Sequence, residues 1–219
     1  MLSHMHHKPA QTQPAGSMQG WAASYDRMTG LLFLGKEAQL RQATIDLAGI
    51  QPGDSILEVG CGTGTLTLAA KARSGANSQV FGIDVAPDML EAARRKASQA
   101  GLEITFQPGR IEQIPFPDNR FQVVLGSLMI HHVPDEADKQ RGFHEAFRVL
   151  KPGGRLLIVD FEPPANPVLN HLVRGLLGDE MAERTVRELI PMLEEAGFTQ
   201  IETGPAKSRF LSFVRAVKP

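Results

Sequence analysis

The sequence has few of the features that mark secreted, membrane-spanning or nucleic-acid-binding proteins. Only one cysteine occurs in 219 residues, so no disulfide can form within the chain. No apolar run approaches the roughly 18 residues that a membrane-spanning helix needs. Lysine plus arginine total 23 and aspartate plus glutamate 24, and this net charge of -1 gives no electrostatic reason to expect a nucleic-acid partner. We therefore expect a cytoplasmic protein with no membrane span and no nucleic-acid partner.

The first twenty residues differ in composition from the rest of the chain. They carry three histidines among the first seven positions, several glutamines and prolines, and few large apolar side chains. A histidine cluster can bind metal, but this composition is more typical of a disordered leader or of residues added for expression. We expect the remainder, 21–219, to form a single domain with a helical lid over about 21–49 and a short substrate-region insert over about 161–185.

Beyond residue 50, short apolar runs alternate with segments of helical periodicity. Runs such as Leu156–Val159 are apolar on both faces, which indicates strands buried between two layers of helices. The pattern predicts strands at 55–59, 79–83, 103–107, 121–126, 155–161, 199–203 and 210–217, and helices at 36–48, 65–73, 87–100, 139–150 and 186–196. Such alternation predicts a doubly wound, Rossmann-like α/β sheet, whose ligands bind at the carboxyl ends of its strands.

A glycine-rich turn follows the first predicted strand, with Gly60, Gly62 and Gly64. Glycine allows a tight turn and lets a ligand approach the backbone closely. The dinucleotide fingerprint would need its third glycine at position 65, which is Thr65, and a Walker-type loop would need a lysine followed by serine or threonine. The turn is therefore not specialised for phosphate, although the helix that begins at its end offers backbone donors that suit a carboxylate.

Two acidic residues flank this turn. Asp84 ends the second predicted strand, where its carboxylate can accept hydrogen bonds from the hydroxyls of a ribose. Nicotinamide enzymes share this feature, so Asp84 alone predicts only the ribose of a nucleoside. Glu58 precedes the glycines and supplies negative charge, which favours a ligand with an amino group and a sulfonium over a pyrophosphate.

Four segments, in the right order, resemble the motifs of class I S-adenosylmethionine-dependent methyltransferases. The first is Glu58-Val59-Gly60-Cys61-Gly62-Thr63-Gly64, and the others lie at 80–90, 114–121 and 146–155. The sequence is most similar to the ubiquinone/menaquinone C-methyltransferase-like (methyltransferase type 11) group. The resemblance implies methyl transfer from S-adenosylmethionine and a seven-stranded sheet, mostly parallel with an antiparallel last strand and helices on both faces.

The resemblance also implies which residues bind the cofactor. They are Tyr25, Glu58, Gly60, Cys61, Gly62, Gly64, Asp84, Val85, Met89, Arg110, Ile111 and Ser127. Glu58 and the glycines would hold the methionine portion, and Asp84 would hold the ribose. Val85 and Met89 would flank the adenine, and the Ile111 backbone N–H would bond to an adenine ring nitrogen. Ser127 would line the path to the methyl group. Tyr25 would belong to a helix that forms a lid over the cofactor. For both Met89 and Tyr25, a packing role is about as good an interpretation as cofactor contact.

Arg110 departs from the family pattern, which usually has aspartate at this position to accept a hydrogen bond from the adenine amino group. Arginine is a donor only. A charge-assisted hydrogen bond is worth roughly 1.5–3 kcal/mol, so its loss would weaken cofactor binding about 10- to 100-fold. Arg110 either stacks on the adenine face or points to solvent while a backbone carbonyl serves. Gln122 is a second departure, at a position where a structural aspartate is common.

The best candidates for a catalytic base are His131 and His132, directly after the fourth predicted strand. An unperturbed histidine titrates near pH 6.5, as a base working at neutral pH requires. His132 is the first choice, and the alternative is that one of the pair packs or caps the next helix. No spacing of cysteine, histidine or carboxylate suggests a metal site.

Specificity would lie in the insert, where apolar side chains suit a lipophilic or aromatic acceptor, although these residues fit a core equally well. The accepting atom, carbon, oxygen or nitrogen, is open, as is the oligomeric state, and peripheral membrane contact would follow if the acceptor is a lipid. Two alternatives stand beside methyl transfer. One is a protein of the same fold that binds the cofactor without transferring methyl, which Arg110 keeps open. The other is a nicotinamide-dependent oxidoreductase.

Overall fold

A computed structural model of the chain describes residues 35, 37–133, 135–162, 186–208 and 210–219. Several sequence predictions lie outside these ranges. They are the leader, most of the lid with Tyr25, and nearly all of the substrate-region insert, and each of them stays a prediction.

The described elements alternate along the chain largely as predicted. The strands are β1 (Ile56–Val59), β2 (Val80–Asp84), β3 (Thr105–Pro108), β4 (Phe121–Ser127), β5 (Leu150–Phe161), β6 (Thr199–Ser208) and β7 (Leu211–Val217). The α-helices are α1 (Glu37–Ala48), α2 (Thr65–Ser74), α3 (Pro87–Gln99), α4 (Glu136–Val149) and α5 (Ile190–Glu195), with 3₁₀ turns at Ile130–His132 and Val186–Leu189. Within the described ranges, no helix has the length and apolar character to cross a membrane.

The seven described strands form one sheet in the order β3-β2-β1-β4-β5-β7-β6. Neighbouring strands run parallel, except that β7 is antiparallel to both β5 and β6. This confirms the predicted doubly wound sheet with an antiparallel last strand. The chain starts at β1, winds out to β3 and returns to β4, so the winding direction reverses between β1 and β4. A ligand crevice is expected at the carboxyl ends of these two strands.

Helices cover both faces of the sheet, as predicted. On one face, Ile45 of α1 and Leu66 of α2 pack against strand residues such as Ile56. On the other face, Phe143 of α4 and Leu193 of α5 join a larger cluster over the same strands. The strands are therefore buried from both sides, which explains why their sequences are apolar rather than alternating.

Several elements differ in their bounds from the sequence prediction. β6 extends to Ser208 rather than ending at 203, and α4 begins at Glu136 rather than at 139. β5 begins at Leu150 rather than Arg155, because Leu150 pairs with Phe121 of β4 before a shift in register. The helix predicted at 186–196 is divided into a 3₁₀ turn and α5. Pro191 has no N–H to donate to the carbonyl four residues earlier, so an uninterrupted α-helix cannot run through this point with all its hydrogen bonds.

Gln122, at the position where the family resemblance implies an aspartate, has a structural role. Its side-chain oxygen accepts hydrogen bonds from the Ser55 backbone N–H, at 2.9 Å, and from the Ser55 hydroxyl. Ser55 immediately precedes β1, and Gln122 lies in β4. The amide therefore ties together the starts of the two strands between which the sheet reverses direction.

Candidate functional site

The glycine turn at residues 60–64 connects β1 to α2, and two of its glycines serve different purposes. Gly62 has φ 51°, and a Cβ there would meet no atom within 4 Å, so this position faces open space. Gly64 has φ 76°, and a Cβ there would lie 2.8 Å from the Cβ of Ala93. Gly62 therefore leaves room for a ligand, whereas Gly64 allows α2 to begin close to α3. A contact between Gly64 and the cofactor stays a prediction.

Asp84, at the end of β2, is held against this turn by backbone donors. Its Oδ2 accepts a hydrogen bond from the Gly62 N–H at 2.8 Å, and its Oδ1 accepts one from the Ala86 N–H at 2.9 Å. A carboxylate offers about four acceptor positions, so both oxygens can still accept bonds from a ligand. The backbone thus fixes the orientation of a carboxylate that lines a cavity.

The larger of two cavities at the turn has a volume of about 320 Å³. Its described lining consists of Val59, Gly60, Gly62, Asp84, Val85, Ala86, Met89, Gly109, Arg110, Ile111, Glu112, Leu128, Met129, His132 and Val133. The volume falls in the usual range for small-molecule sites. Eight of the residues predicted from sequence thus meet around one space. Val85 is 63% exposed, an unusual state for a large apolar side chain, and it offers an apolar surface to a flat ligand.

Arg110 reaches back along its own segment rather than across this cavity. Its Nε and Nη2 donate to Oε1 of Glu112 at 3.0 and 2.8 Å, and its side chain is 66% exposed. Of the two sequence alternatives, this geometry favours the solvent-directed arginine. Glu112, which the sequence analysis did not select, contributes an acid to the same wall of the cavity.

The smaller cavity, of about 120 Å³, lies on the other side of the turn. Gly60, Gly62 and Leu128 line both cavities. The remaining described lining of the smaller one is Glu37, Leu40, Arg41, Thr44, Glu58, Cys61, Thr63, Thr65, Leu66, Ser127, Val159 and Leu211. Glu58, Cys61 and Ser127 therefore line this smaller cavity, and their contact with the cofactor stays a prediction.

Glu58 is not the standing negative charge that the sequence analysis expected. Complete burial raises the pKa of its carboxyl from 4.5 to about 8, against the lowering effect of a hydrogen bond from the Thr67 hydroxyl, and the nearby Asp84 charge adds to the rise. At pH 7 the carboxyl is therefore mostly protonated. A cationic ligand beside it would favour the ionised form and lower this pKa.

Burial also controls the single cysteine of the turn. The Cys61 side chain is 5% exposed, and desolvation, followed by the charges of Glu58 and Asp84, raises the pKa of its thiol. The thiol is accordingly a poor nucleophile at neutral pH. Cys61 lines the smaller cavity as an uncharged, apolar group.

Helix α1 adds a charged pair that the sequence analysis missed. Arg41 donates from Nη1 to Oε2 of Glu37 at 2.9 Å, and both side chains line the smaller cavity. The other carboxyl oxygen of Glu37 is buried without a hydrogen-bond partner among the described residues. The i,i+4 spacing signals the ion pair, but nothing in the local sequence indicates that it faces the glycine turn.

The two candidate bases occupy different environments. His132 is exposed and lines the larger cavity. His131 is 8% exposed in its side chain, and its Nδ1 lies 2.7 Å from Oδ1 of Asp160 at the end of β5. Asp160 was missed, although it follows an apolar strand just as Asp84 does. In the described part of the chain, no cluster of histidine, cysteine and carboxylate groups could hold a metal ion.

The sheet reverses direction at β1 and β4, and a glycine turn and a strand-end aspartate lie at the reversal. This arrangement is typical of α/β domains that bind nucleosides. Residues 56–154 match the family model described as a methyltransferase domain. The matched segment is slightly less than half of the chain, and it contains both the glycine turn and Asp84.

Curated relatives narrow the comparison. The chain is 36% identical over 150 residues to a ubiquinone/menaquinone biosynthesis C-methyltransferase of Ectopseudomonas mendocina, covering 68% of this chain and 57% of that protein. It is 38% identical over 143 residues to a demethylmenaquinone methyltransferase of Thermus thermophilus, covering 65% of this chain and 63% of that protein. The chain thus matches less than two thirds of the length of either relative.

Among solved structures, the fold resembles that of a SAM-dependent methyltransferase from Aquifex aeolicus. The TM-score is 0.70 at 22% sequence identity, covering 92% of this chain and 98% of that one. At this level of identity the likeness concerns the fold.

Proposed function

We propose that the chain transfers a methyl group from S-adenosylmethionine to a small lipophilic or aromatic acceptor of the quinol type. The observation that carries the transfer is the pairing of the Gly62 turn with Asp84 at one edge of a 320 Å³ cavity. Asp84 can accept hydrogen bonds from ribose hydroxyls, and the arginine of the lining, Arg110, is already paired with Glu112 rather than available for a pyrophosphate. The names of the aligned relatives support a quinol-type acceptor. The accepting atom stays open.

The lining of the two cavities offers a partner for each part of the cofactor. Val85 and Met89 would hold the adenine, and the Ile111 N–H, which takes part in no backbone hydrogen bond in the described ranges, would donate to a ring nitrogen. Asp84 would accept from the ribose hydroxyls. The two cavities, which share Gly62, would then divide the nucleoside from the amino-acid end of the molecule.

The charges of the smaller cavity suit a zwitterionic amino-acid group. Arg41 would face the carboxylate, and Glu58 would face the ammonium group and the sulfonium. A cation within about 4–6 Å of Glu58 would stabilise its ionised form. Binding would therefore convert a neutral buried carboxyl into a paired one.

When bound, the cofactor supplies a methyl group on a cationic sulfur. The residues of this chain would position the reactants and exclude water, and these two effects lower the barrier of such displacements by several kcal/mol. Leu128 lies at the junction of the two cavities with φ 54°, and its N–H donates to the Val159 carbonyl at 2.8 Å. With Ser127 it would line the path by which an acceptor reaches the methyl group.

Calorimetry with S-adenosylhomocysteine tests the cofactor site. Asp84→Ala should weaken binding at least about 100-fold, because it removes charge-assisted hydrogen bonds worth roughly 1.5–3 kcal/mol each. Glu91→Gln is the matched control, since Glu91 lies on the helix that follows Asp84 but is 57% exposed and pairs with Arg95. Equal affinity of the Asp84→Ala variant and wild type would refute this cofactor pose.

The transfer itself is tested with S-adenosylmethionine and reduced 1,4-naphthohydroquinone, with mass spectrometry of the product. We expect a product one methyl group heavier and equimolar S-adenosylhomocysteine. A protein that binds S-adenosylhomocysteine tightly but methylates neither this acceptor nor a panel of phenols would contradict the proposed acceptor class. The cytoplasmic location, the peripheral lipid contact and the oligomeric state remain predictions.

A further inference from the structure

His131 and Asp160 form an oriented acid–base pair at the carboxyl edge of the sheet. Asp160 ends β5 and His131 follows β4, and these neighbouring parallel strands are in register up to Ser127 and Val159. His131 Nδ1 lies 2.7 Å from Asp160 Oδ1. The side chains are 8% and 3% exposed, so the contact is shielded from water.

The other partners of Asp160 determine which atom carries the proton. Its Oδ2 accepts from the Ile130 N–H at 2.9 Å, and its Oδ1 accepts from the Phe161 N–H at 2.8 Å. A carboxylate that receives backbone donors on both oxygens is stabilised as the anion. The His131 Nδ1 must then be the donor, because two acceptors would repel at this distance. This fixes the Nδ1–H tautomer and leaves the lone pair on Nε2.

A contribution to stability does not explain why residue 131 is a histidine. The Nε2 atom of His131 is buried and has no hydrogen-bond partner among the described residues. Burying an unsatisfied polar atom is unfavourable. Asp160 already holds the 3₁₀ turn through the Ile130 N–H, so the ring is not needed for that purpose. An unused acceptor held by a buried carboxylate is the arrangement of a base and its orienting residue.

The position of the ring connects it to the cofactor site. Its centroid lies 3.9 Å from that of His132, which lines the larger cavity, and 5.2 Å from that of Phe161. In the described part of the chain, the titratable groups in contact with the His131 ring are Asp160 and His132. The base and the cavity are thus separated by the thickness of one aromatic ring.

We propose that His131, rather than His132, is the catalytic base, and that Asp160 is its positioning residue. This inference rests on the proposed methyl transfer. The attacking atom of the acceptor forms a bond to the methyl carbon while the methyl–sulfur bond breaks, and its electron pair stays on sulfur, which becomes neutral. The exposed His132 ring rotates aside so that the acceptor reaches Nε2, the proton of the attacking atom moves to Nε2, and Asp160 stabilises the resulting imidazolium. The acceptor class is therefore one that loses a proton from the attacked atom, such as a phenol, a hydroquinone or an electron-rich ring carbon.

Nitrogen-15 NMR of the wild-type protein tests the tautomer without any turnover. We expect a protonated Nδ1 and an unprotonated Nε2 for His131 at about pH 8, and a shift of the Nε2 resonance when naphthohydroquinone is added with S-adenosylhomocysteine. A protonated Nε2 with a bare Nδ1, or no response to the acceptor, would overturn the assignment.

Variants test the chemistry. His131→Gln should lower the rate of methyl transfer about 10²- to 10⁴-fold, and Asp160→Asn at least about 10-fold, with S-adenosylhomocysteine affinity within about 3-fold of wild type. His132→Ala, which changes the cavity lining, should lower the rate less than His131→Gln does. His144→Gln, an exposed histidine of α4 that contacts Gln140, is the control for histidine removal. If the wild-type protein does not bind S-adenosylhomocysteine, the proposed function is refuted. If it binds and His131→Gln transfers methyl at the wild-type rate, His131 is not the catalytic base.

Discussion

The raised pKa of the buried Glu58 carboxyl predicts how the free energy of unfolding changes with pH. Its pKa is about 8 in the folded protein and about 4.5 when the side chain is in water. Between these values the folded protein holds a proton that the unfolded chain has released. The free energy of unfolding should therefore decrease as pH rises from about 4.5 to about 8 and level off above that. The contribution of Glu58 is fully present at low pH and lost at high pH.

The size of the effect follows from the two pKa values. One pKa unit corresponds to about 1.4 kcal/mol, so the loss across the whole range approaches about 5 kcal/mol. Glutamine has nearly the same shape and does not titrate. Glu58→Gln should therefore gain stability relative to wild type by about 1.4 kcal/mol for each pH unit within this range.

Urea unfolding at several pH values between about 5 and 9 measures this difference directly. Subtracting the wild-type curve from the variant curve cancels the titration of groups that the substitution does not touch. Glu91→Gln, which removes an exposed carboxylate, provides the baseline. A difference between Glu58→Gln and wild type that stays constant across this range would refute the claim that Glu58 is protonated in the folded protein at pH 7.

Three further predictions follow from the geometry. Gly64→Ala should lower the free energy of unfolding by about 2–4 kcal/mol, because of the positive φ and the overlap with Ala93. The control is Gly75→Ala, at the other end of α2, where φ is 89° and no atom lies within 4 Å, and it should lower this free energy by only about 1–2 kcal/mol. Equal losses in urea unfolding would contradict the packing role of Gly64. Arg110→Asp should tighten S-adenosylhomocysteine binding about 10-fold, because the new carboxylate can accept a hydrogen bond from the adenine amino group. The inosine analogue lacks this amino group, so its affinity should not change. Equal S-adenosylhomocysteine affinity in calorimetry would show that this position does not contact adenine. S-adenosylmethionine binding at pH 7 should release protons from wild type but not from Glu58→Gln, measured by calorimetry in buffers of different ionisation enthalpy, and equal release would refute the pairing of Glu58 with the cation.

The fold could be predicted from sequence because its signals are local. Buried parallel strands have continuous apolar sequences such as Leu156–Val159, and the glycine turn indicates the first strand-to-helix connection. The boundaries that were missed depend on partners distant in sequence. The start of β5 at Leu150 requires pairing with Phe121, and the division before α5 depends on one missing N–H at Pro191.

The candidate site could be predicted only where a residue type dictates its role. Asp84 was found because an acid at a strand end is a strong signal, and the same reasoning applied to Asp160 would have found the partner of His131. The protonated state of Glu58 could not be predicted, because it depends on complete burial in the folded chain and on contacts with Thr67 and Asp84. The pairing of Arg110 with Glu112 likewise depends on the turn between them, in which the residues at 110 and 113 pair.

The proposed methyl transfer requires that the crevice between β1 and β4 bind S-adenosylmethionine through the Gly62 turn and Asp84. Isothermal calorimetry of the wild-type chain with S-adenosylhomocysteine measures this binding. We expect one site per chain, saturated well below millimolar ligand, with binding lost in Asp84→Ala and retained in Glu91→Gln. No heat of binding at about 1 mM ligand, equivalent to less than about 4 kcal/mol of binding free energy, would contradict it.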